Sequence, residues 1–351
     1  MKCRVAFFSV VPAPYQRDLF AALVRREEVE LSVFYLEDAA PDSPWPQKPL
    51  APYERVLRGG WFPIGSARCH ANWPLPDVRA FDVVVLNTLM SITGQWLMRW
   101  ALRGRRWMFW GERLTGRGAL HNLASAPLHR ASGIAAIGTL ALQDYAIRFP
   151  APQRFNIPYY CELAPFLTQP RRVRAGGEVI FLLCGQMIAR KGVDHLLAAF
   201  STLGGNARLL LVGREAELPA MLAELPEEAR TRVTYAGFQP PEELPRFFAQ
   251  ADVFVLPSRH DGWGVVVNQA LGAGLPIICS DAVGAGHDLV EEEVNGLLFR
   301  AGDATALAER MRRFLDVPEL IDQWGEASRK KAQEWLPEAG AERWVEALRS
   351  V

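Results

Sequence analysis

The 351-residue sequence is short of several things, and each shortage excludes something. Its five cysteines (Cys3, Cys69, Cys161, Cys184, Cys279) are odd in number, scattered and mostly inside apolar runs. That rules against a disulfide framework and reads as reduced, packed thiols of a cytosolic chain. The six histidines (His70, His121, His129, His195, His260, His287) show no metal-ligand spacing. No apolar run is long enough to span a bilayer. The apolar part of the N-terminus is too short for a signal peptide and reads as a first buried strand. Charge of one sign is not in excess either: 39 Lys+Arg balance 39 Asp+Glu, so nothing points to a nucleic-acid partner. Fixed-period repeats and low-complexity tracts are absent from the sequence.

What is present is a globular composition, 50% hydrophobic and 22% charged, on a chain too long for one typical core. Two domains are expected. The neutral total hides an asymmetry: residues 1–170 carry 19 Lys+Arg against 13 Asp+Glu, and residues 171–351 carry 20 against 26, or +6 and −6. The halves therefore suit different partners. Strand-like runs at 4–10, 31–36, 83–86, 107–110 and 133–137 alternate with helical spacing at 15–25, 94–102 and 120–130. A second series of runs follows at 179–184, 208–212, 233–235, 253–256 and 276–279. Such alternation predicts an α/β fold with two Rossmann-like, doubly wound parallel sheets and a central cleft between them. The Pro-, Arg- and Gly-rich stretch 158–177 marks the boundary, giving domains at 1–164 and 165–334.

The most specific stretch runs from Pro257 to Ala270. A buried strand at 251–256 ends at Pro257, a polar loop follows in which Gly262, Trp263 and Gly264 are candidate substrate contacts, and a helix is expected over 265–273. Free amides at Gly264, Val265 and Val266 suit an anion such as a phosphate. Gln269, one turn further on, can reach a neighbouring polar group such as a ribose hydroxyl. An ordinary strand–loop–helix crossover satisfies the same pattern. A second constellation, Cys184 to Asp194, places Arg190 and Lys191 after the first strand of the second half. There the two cations can meet the negative charge that builds on a departing diphosphate, or stand as solvated loop residues.

This segment resembles the Gly-Arg…Lys-Gly-Val-Asp pattern of the family 4 retaining, nucleotide-sugar-dependent glycosyltransferases. Lys191 matches the family Lys, Gln186 stands where the family has Arg, and Arg190 is taken to supply the missing cation. Further matches run from 211 to 213, 233 to 238, 251 to 258, 272 to 277 and 295 to 298. Asp261 and Gln269 stand where the family has two glutamates. The resemblance implies the GT-B fold, transfer of a sugar from a nucleotide diphosphate sugar to an acceptor hydroxyl with retention, and a last helix, 335–351, that crosses back to the first domain. It implies that Asp261 and neighbouring His260 lie at the donor sugar, Gln269 at the ribose, and the backbone of Gly237 and Phe238 at the base. No metal or other cofactor is expected, and no two aspartates are separated by a single residue.

In the first half, Pro14 and Tyr15 follow the first strand, where an acceptor contact and a plain helix-entry turn are both open. Glu112 ends another strand; it can bind or help deprotonate an acceptor, or pair with Arg113 or Arg117. The segment 99–107 mixes cations with tryptophans, which fits contact with an anionic membrane surface or a helix C-terminus leading into a buried strand. The expected protein is a cytoplasmic glycosyltransferase, peripheral at the inner membrane face in one reading, acting on a sugar or lipid-linked glycan acceptor in polysaccharide, lipopolysaccharide or glycoconjugate synthesis. The alternatives are a catalytically weakened nucleotide-sugar binding protein and a nucleotide-sugar epimerase of the same fold.

Overall fold

The computed structural model describes residues 2–39, 48–64, 67–116, 118–174 and 177–351. It divides into two units, Met1–Tyr160 with Pro337–Val351, and Cys161–Leu336. The first division falls inside the expected boundary stretch, of which Ala175 and Gly176 lie outside the described residues.

In the first unit, seven described strands form a parallel sheet. Its order is β3 (Glu54–Val56), β2 (Val29–Tyr35), β1 (Cys3–Ser9), β6 (Val83–Leu86), β7 (Trp107–Gly111), β8 (Gly133–Ala136) and β9 (Gln153–Asn156). The central strands are unbroken apolar runs because helices cover both faces, and Val5, Ala6, Phe7 and Phe8 are fully buried. The last helix, Pro337–Ser350, belongs to this unit. Its Trp344 packs edge-on against Phe7 and Trp110, with centroids 4.9 and 5.5 Å apart. Aromatic pairs of this kind add about 0.5–1.5 kcal/mol beyond the area they bury.

Between β3 and β6 the chain makes an antiparallel hairpin, β4 (Gly59–Ile64) with β5 (Ala67–Asn72), which sequence patterning does not reveal. The helix expected over 94–102 begins earlier, at Ile92, because the Ser91 hydroxyl caps it by accepting from the Gly94 N–H at 2.9 Å. It continues as a π-helical turn over Leu97–Ala101. The helix expected over 120–130 is split into Ala119–Ser125 and a 3-10 turn, Ala126–Arg130, where Pro127 supplies no N–H. Trp107 is buried in β7, so the membrane-facing reading of segment 99–107 does not extend to it.

The second unit holds six described parallel strands: β12 (Val233–Tyr235), β11 (Ala207–Val212), β10 (Val179–Cys184), β13 (Val253–Leu256), β14 (Ile277–Ser280) and β15 (Gly296–Phe299). As in the first sheet, the first strand in the chain lies inside, and the order reverses beside it, between β10 and β13. Loops leaving the carboxyl ends of two such strands diverge to opposite faces and leave room for a ligand.

Candidate functional site

In the second unit, the two charged stretches picked out from the sequence come together at this reversal. Strand β10 delivers the loop 185–192, and β13 delivers the loop 257–265. Gly192 seals the junction: its φ is +71°, and an added Cβ would lie 2.0 Å from the Pro257 carbonyl oxygen. Any larger residue would push the loops apart. Across this seam Lys191 forms an ion pair with Asp261, both side chains mostly covered, at 15 and 13% exposure. The Arg190 guanidinium donates to the His260 carbonyl at 3.1 Å, and the Arg259 N–H donates to the Arg190 carbonyl at 2.9 Å.

The outer side of the seam is braced by Arg259. It forms a two-pronged pair with Asp194, at 2.7 and 2.5 Å, and donates to the Ala189 carbonyl. The Arg259 guanidinium holds the Asp194 carboxyl below its ordinary value. From the other flank the loop after β14 supports the site: the Gly284 N–H donates to the Asp261 carbonyl at 3.1 Å, and the Ala285 N–H to the Trp263 carbonyl at 2.8 Å. The Lys191–Asp261 pair is therefore held on both sides by backbone.

Gly264 has φ +93°, which turns the chain into a helix over Val266–Gly272 with Val265 as its cap residue. The N–H groups of Gly264, Val265 and Val266 find no acceptor among the described residues. Gln269 sits in this helix with its Oε1 buried and without a hydrogen-bond partner. A carbonyl oxygen left in that condition is costly and invites a donor. At the other end of the sheet edge, Gly237 accepts from the Gly213 N–H at 2.9 Å, and Phe238 is 43% exposed. Gln186 is half-buried at the start of the β10 loop.

Trp263, expected at the substrate, is packed inside the unit instead. Its ring is 1% exposed, stacks on Trp335 at 5.9 Å and donates its Nε1 to the Asn268 Oδ1 at 2.9 Å. It is part of the packing under the loop, and its side chain offers nothing to a substrate. The indole is simply large and apolar enough to anchor a loop that is otherwise polar.

In the first unit the corresponding edge encloses a cavity of about 490 Å³. Its wall is made by Val10 after β1, Asn87 to Met90 after β6, Arg113 to Gly116 after β7, and Arg68, His70 and His121. Pro14, Tyr15 and Glu112 are not in that wall. Pro14 is the first residue of its helix, and Tyr15 packs its ring on Tyr159 with centroids 4.6 Å apart, so the helix-entry reading describes them. Glu112 is exposed and its carbonyl accepts from Tyr145 Oη at 2.8 Å. Arg113 pairs with Asp144 at 2.6 Å, and Arg117 lies outside the described residues.

Sequence reasoning missed Asn87. It accepts from Gln16 Nε2 at 3.1 Å and donates to the Trp110 carbonyl at 2.7 Å, so beside the cavity it links the ends of β6 and β7 to the helix that follows β1. The signal was available, since Asn87 follows an apolar strand as Glu112 does. Arg68 and His70 gave no such signal, because they come from the hairpin. Arg68 donates to Glu37 at 3.0 Å, and His70 lies 3.2 Å from the other Glu37 oxygen.

Burial pushes the Cys184 thiol up to about 12 and Cys279 further, which disfavours the thiolate at both. Among the described residues no group of three or more His, Cys, Asp or Glu side chains is placed to hold a metal ion.

Residues 168–331, which make up most of the second unit, match the family model described as glycosyl transferases group 1. Over 174 residues the chain is 30% identical to the amylovoran biosynthesis glycosyltransferase AmsK of Erwinia amylovora, covering 46% of this chain and 39% of that protein. The chain spans less than two-fifths of the length of several curated relatives that it matches. Among solved structures, sucrose-phosphate synthase from Thermosynechococcus elongatus aligns at TM-score 0.77 and 22% identity over 99% of this chain and 98% of that one. Anabaena HepE in complex with UDP aligns at TM-score 0.75 and 16% identity over the whole of both chains. At these identities the structures establish the fold, two parallel-sheet Rossmann-like domains of the GT-B type.

Proposed function

We propose that this chain is a glycosyltransferase that takes its sugar from a nucleotide diphosphate donor held by the second unit. The observation that carries the reading is the covered Lys191–Asp261 pair beside the unpaired N–H groups of Gly264, Val265 and Val266. A cation and a cluster of unsatisfied amides beside one loop suit a diphosphate, whose negative charge grows as the glycosidic bond breaks. Asp261, fixed by Lys191 and by backbone, accepts from hydroxyls of the donor sugar. Arg190 adds a second cation at the rim. The match to the glycosyl transferases group 1 model over this unit supports the same reading, as does UDP bound to HepE, a protein of like fold.

In this reading the acceptor occupies the cavity of the first unit, where Asn87, Arg113 and His121 present polar groups to a hydroxylated molecule. Retention of anomeric configuration, membership of family 4, independence of metal, a cytoplasmic location and a role in surface polysaccharide or lipopolysaccharide assembly complete the proposal. The test is incubation with UDP-, GDP- and ADP-sugars while free nucleoside diphosphate is assayed. Release that requires an acceptor supports transfer. Tight donor binding with no release under any acceptor would instead mark a binding protein. A thermal-shift screen against the free diphosphates identifies the base, since a ligand of the folded state raises its stability.

A further inference from the structure

The helix after β6 turns the usual rule of amphipathicity over. Its buried positions include Thr93, Gly94, Leu97 and Met98, while the exposed ones are Ile92, Trp96 and Trp100, at 49, 38 and 54% exposure. Successive i, i+4 spacing puts these three on one stripe, where a water-facing helix would carry charge. The stripe is widened on both sides. Trp73, 68% exposed, meets Trp96 edge-on with centroids 5.9 Å apart. Leu123, 62% exposed, is tied to the helix through its carbonyl, which accepts from Arg99.

The charged residues on the helix and at its end, Arg99 and Arg103, are of one sign. Arg99 and Arg103 rise from the helix itself, and Arg103 donates back to the Arg99 carbonyl. The indole N–H groups of Trp73, Trp96 and Trp100 have no acceptor among the described residues, so each ring has an apolar body and an unused polar tip. Half-exposed tryptophans flanked by arginine suit the headgroup layer of a bilayer, where ring and tip are both satisfied. No described helix is long and apolar enough to cross a membrane, so the helix would lie in the surface plane.

We propose that the face formed by Ile92, Trp96, Trp100, Trp73 and Leu123 docks this chain on an anionic lipid surface. The proposal does not depend on the donor reading, since none of these residues belongs to the second unit. The test is flotation with phosphatidylethanolamine–phosphatidylglycerol vesicles, about 3:1, and with phosphatidylcholine vesicles, at low and high salt. The chain should float with the anionic vesicles at low salt, with tryptophan emission shifted to the blue, and release as salt rises. A Trp96→Ser/Trp100→Ser variant should lose about tenfold in bound fraction. Arg103→Gln should lose less and show a weaker salt dependence. Ile92→Gln/Leu123→Gln removes apolar area while sparing the Trp73–Trp96 contact, which keeps the test open if the tryptophan variant misfolds. Failure to float at low salt, or equal flotation of folded variants, overturns the proposal. So does a dimer by light scattering that the variants dissolve without any vesicle binding, because the stripe would then belong to a second copy.

Discussion

The two sheets share the inward first strand and the reversal beside it, yet their carboxyl edges are built in opposite ways. In the second unit the loops after β10 and β13 are laced together by Lys191–Asp261, Arg190 with the His260 carbonyl and Arg259–Asp194, with Gly192 pressed against Pro257. In the first unit the loops after β1, β6 and β7 stand apart around a cavity of about 490 Å³, and its arginines pair with Glu37 and Asp144, which lie outside the cavity wall. One topology thus supports a charged, fixed site and an open, adaptable one. A group shared by many donors, such as a diphosphate, rewards rigid placement; variable acceptors are better served by loops that differ from one chain to the next.

The strongest way to break that contrast is to remove Lys191. Lys191→Ala leaves Asp261 covered and unpaired, and sugar transfer should fall by about a hundredfold or more, the usual loss when one charge-stabilising group is removed. Nucleotide release under saturating donor measures it; a drop of less than threefold or so would move the diphosphate away from this seam.

Trp263→Phe tests whether the loop is held from below. Loss of the Asn268 contact should cost about 1–3 kcal/mol in urea unfolding, with donor affinity nearly unchanged in the folded protein. Donor affinity falling while stability holds would restore Trp263 to the ligand.

Gln269→Glu sharpens the donor side. In the proposed donor site a carboxylate at this position would accept two charge-assisted hydrogen bonds from the ribose, so affinity for the nucleoside diphosphate should rise about tenfold in calorimetry. No gain would place the ribose elsewhere. On the open side, His121→Ala should raise the acceptor KM about threefold to tenfold and leave donor binding alone, which steady-state kinetics with both substrates separates.

The smallest effect is in acid. Arg259 lowers the Asp194 value in the folded chain, so the folded state binds fewer protons there than the unfolded one. The stabilisation is complete above the unfolded value, near pH 4, and is lost as pH falls through the folded value. Both side chains are over a third exposed, so Asp194→Asn should flatten the acid limb of the stability curve by less than about 1 kcal/mol. A larger change would mean that the brace also carries the Lys191 seam.

Sequence patterning was enough for ten of the thirteen described parallel strands, because a strand covered on both faces must be apolar throughout, as at Val253–Leu256 and Val179–Cys184; it did not mark β3, β9 and β15, which all lie at sheet edges. It was also enough for the positions of Lys191, Asp261 and Gly264, since local φ requirements and strand ends fall where glycine and charge follow an apolar run. It did not reach the hairpin Gly59–Asn72, whose first strand is exposed along its whole length and bears no burial pattern. Nor could it tell Trp263 from a ligand contact: burial of an indole depends on Trp335, 72 positions away, and no local rule contains that neighbour. Pairing, enclosure and exposure were decided only by the folded chain. The Lys191–Asp261 seam, the cavity behind Asn87 and the outward stripe of Ile92, Trp96 and Trp100 all depend on which distant segments pack together, and packing is a property of three-dimensional neighbours rather than of adjacent residues.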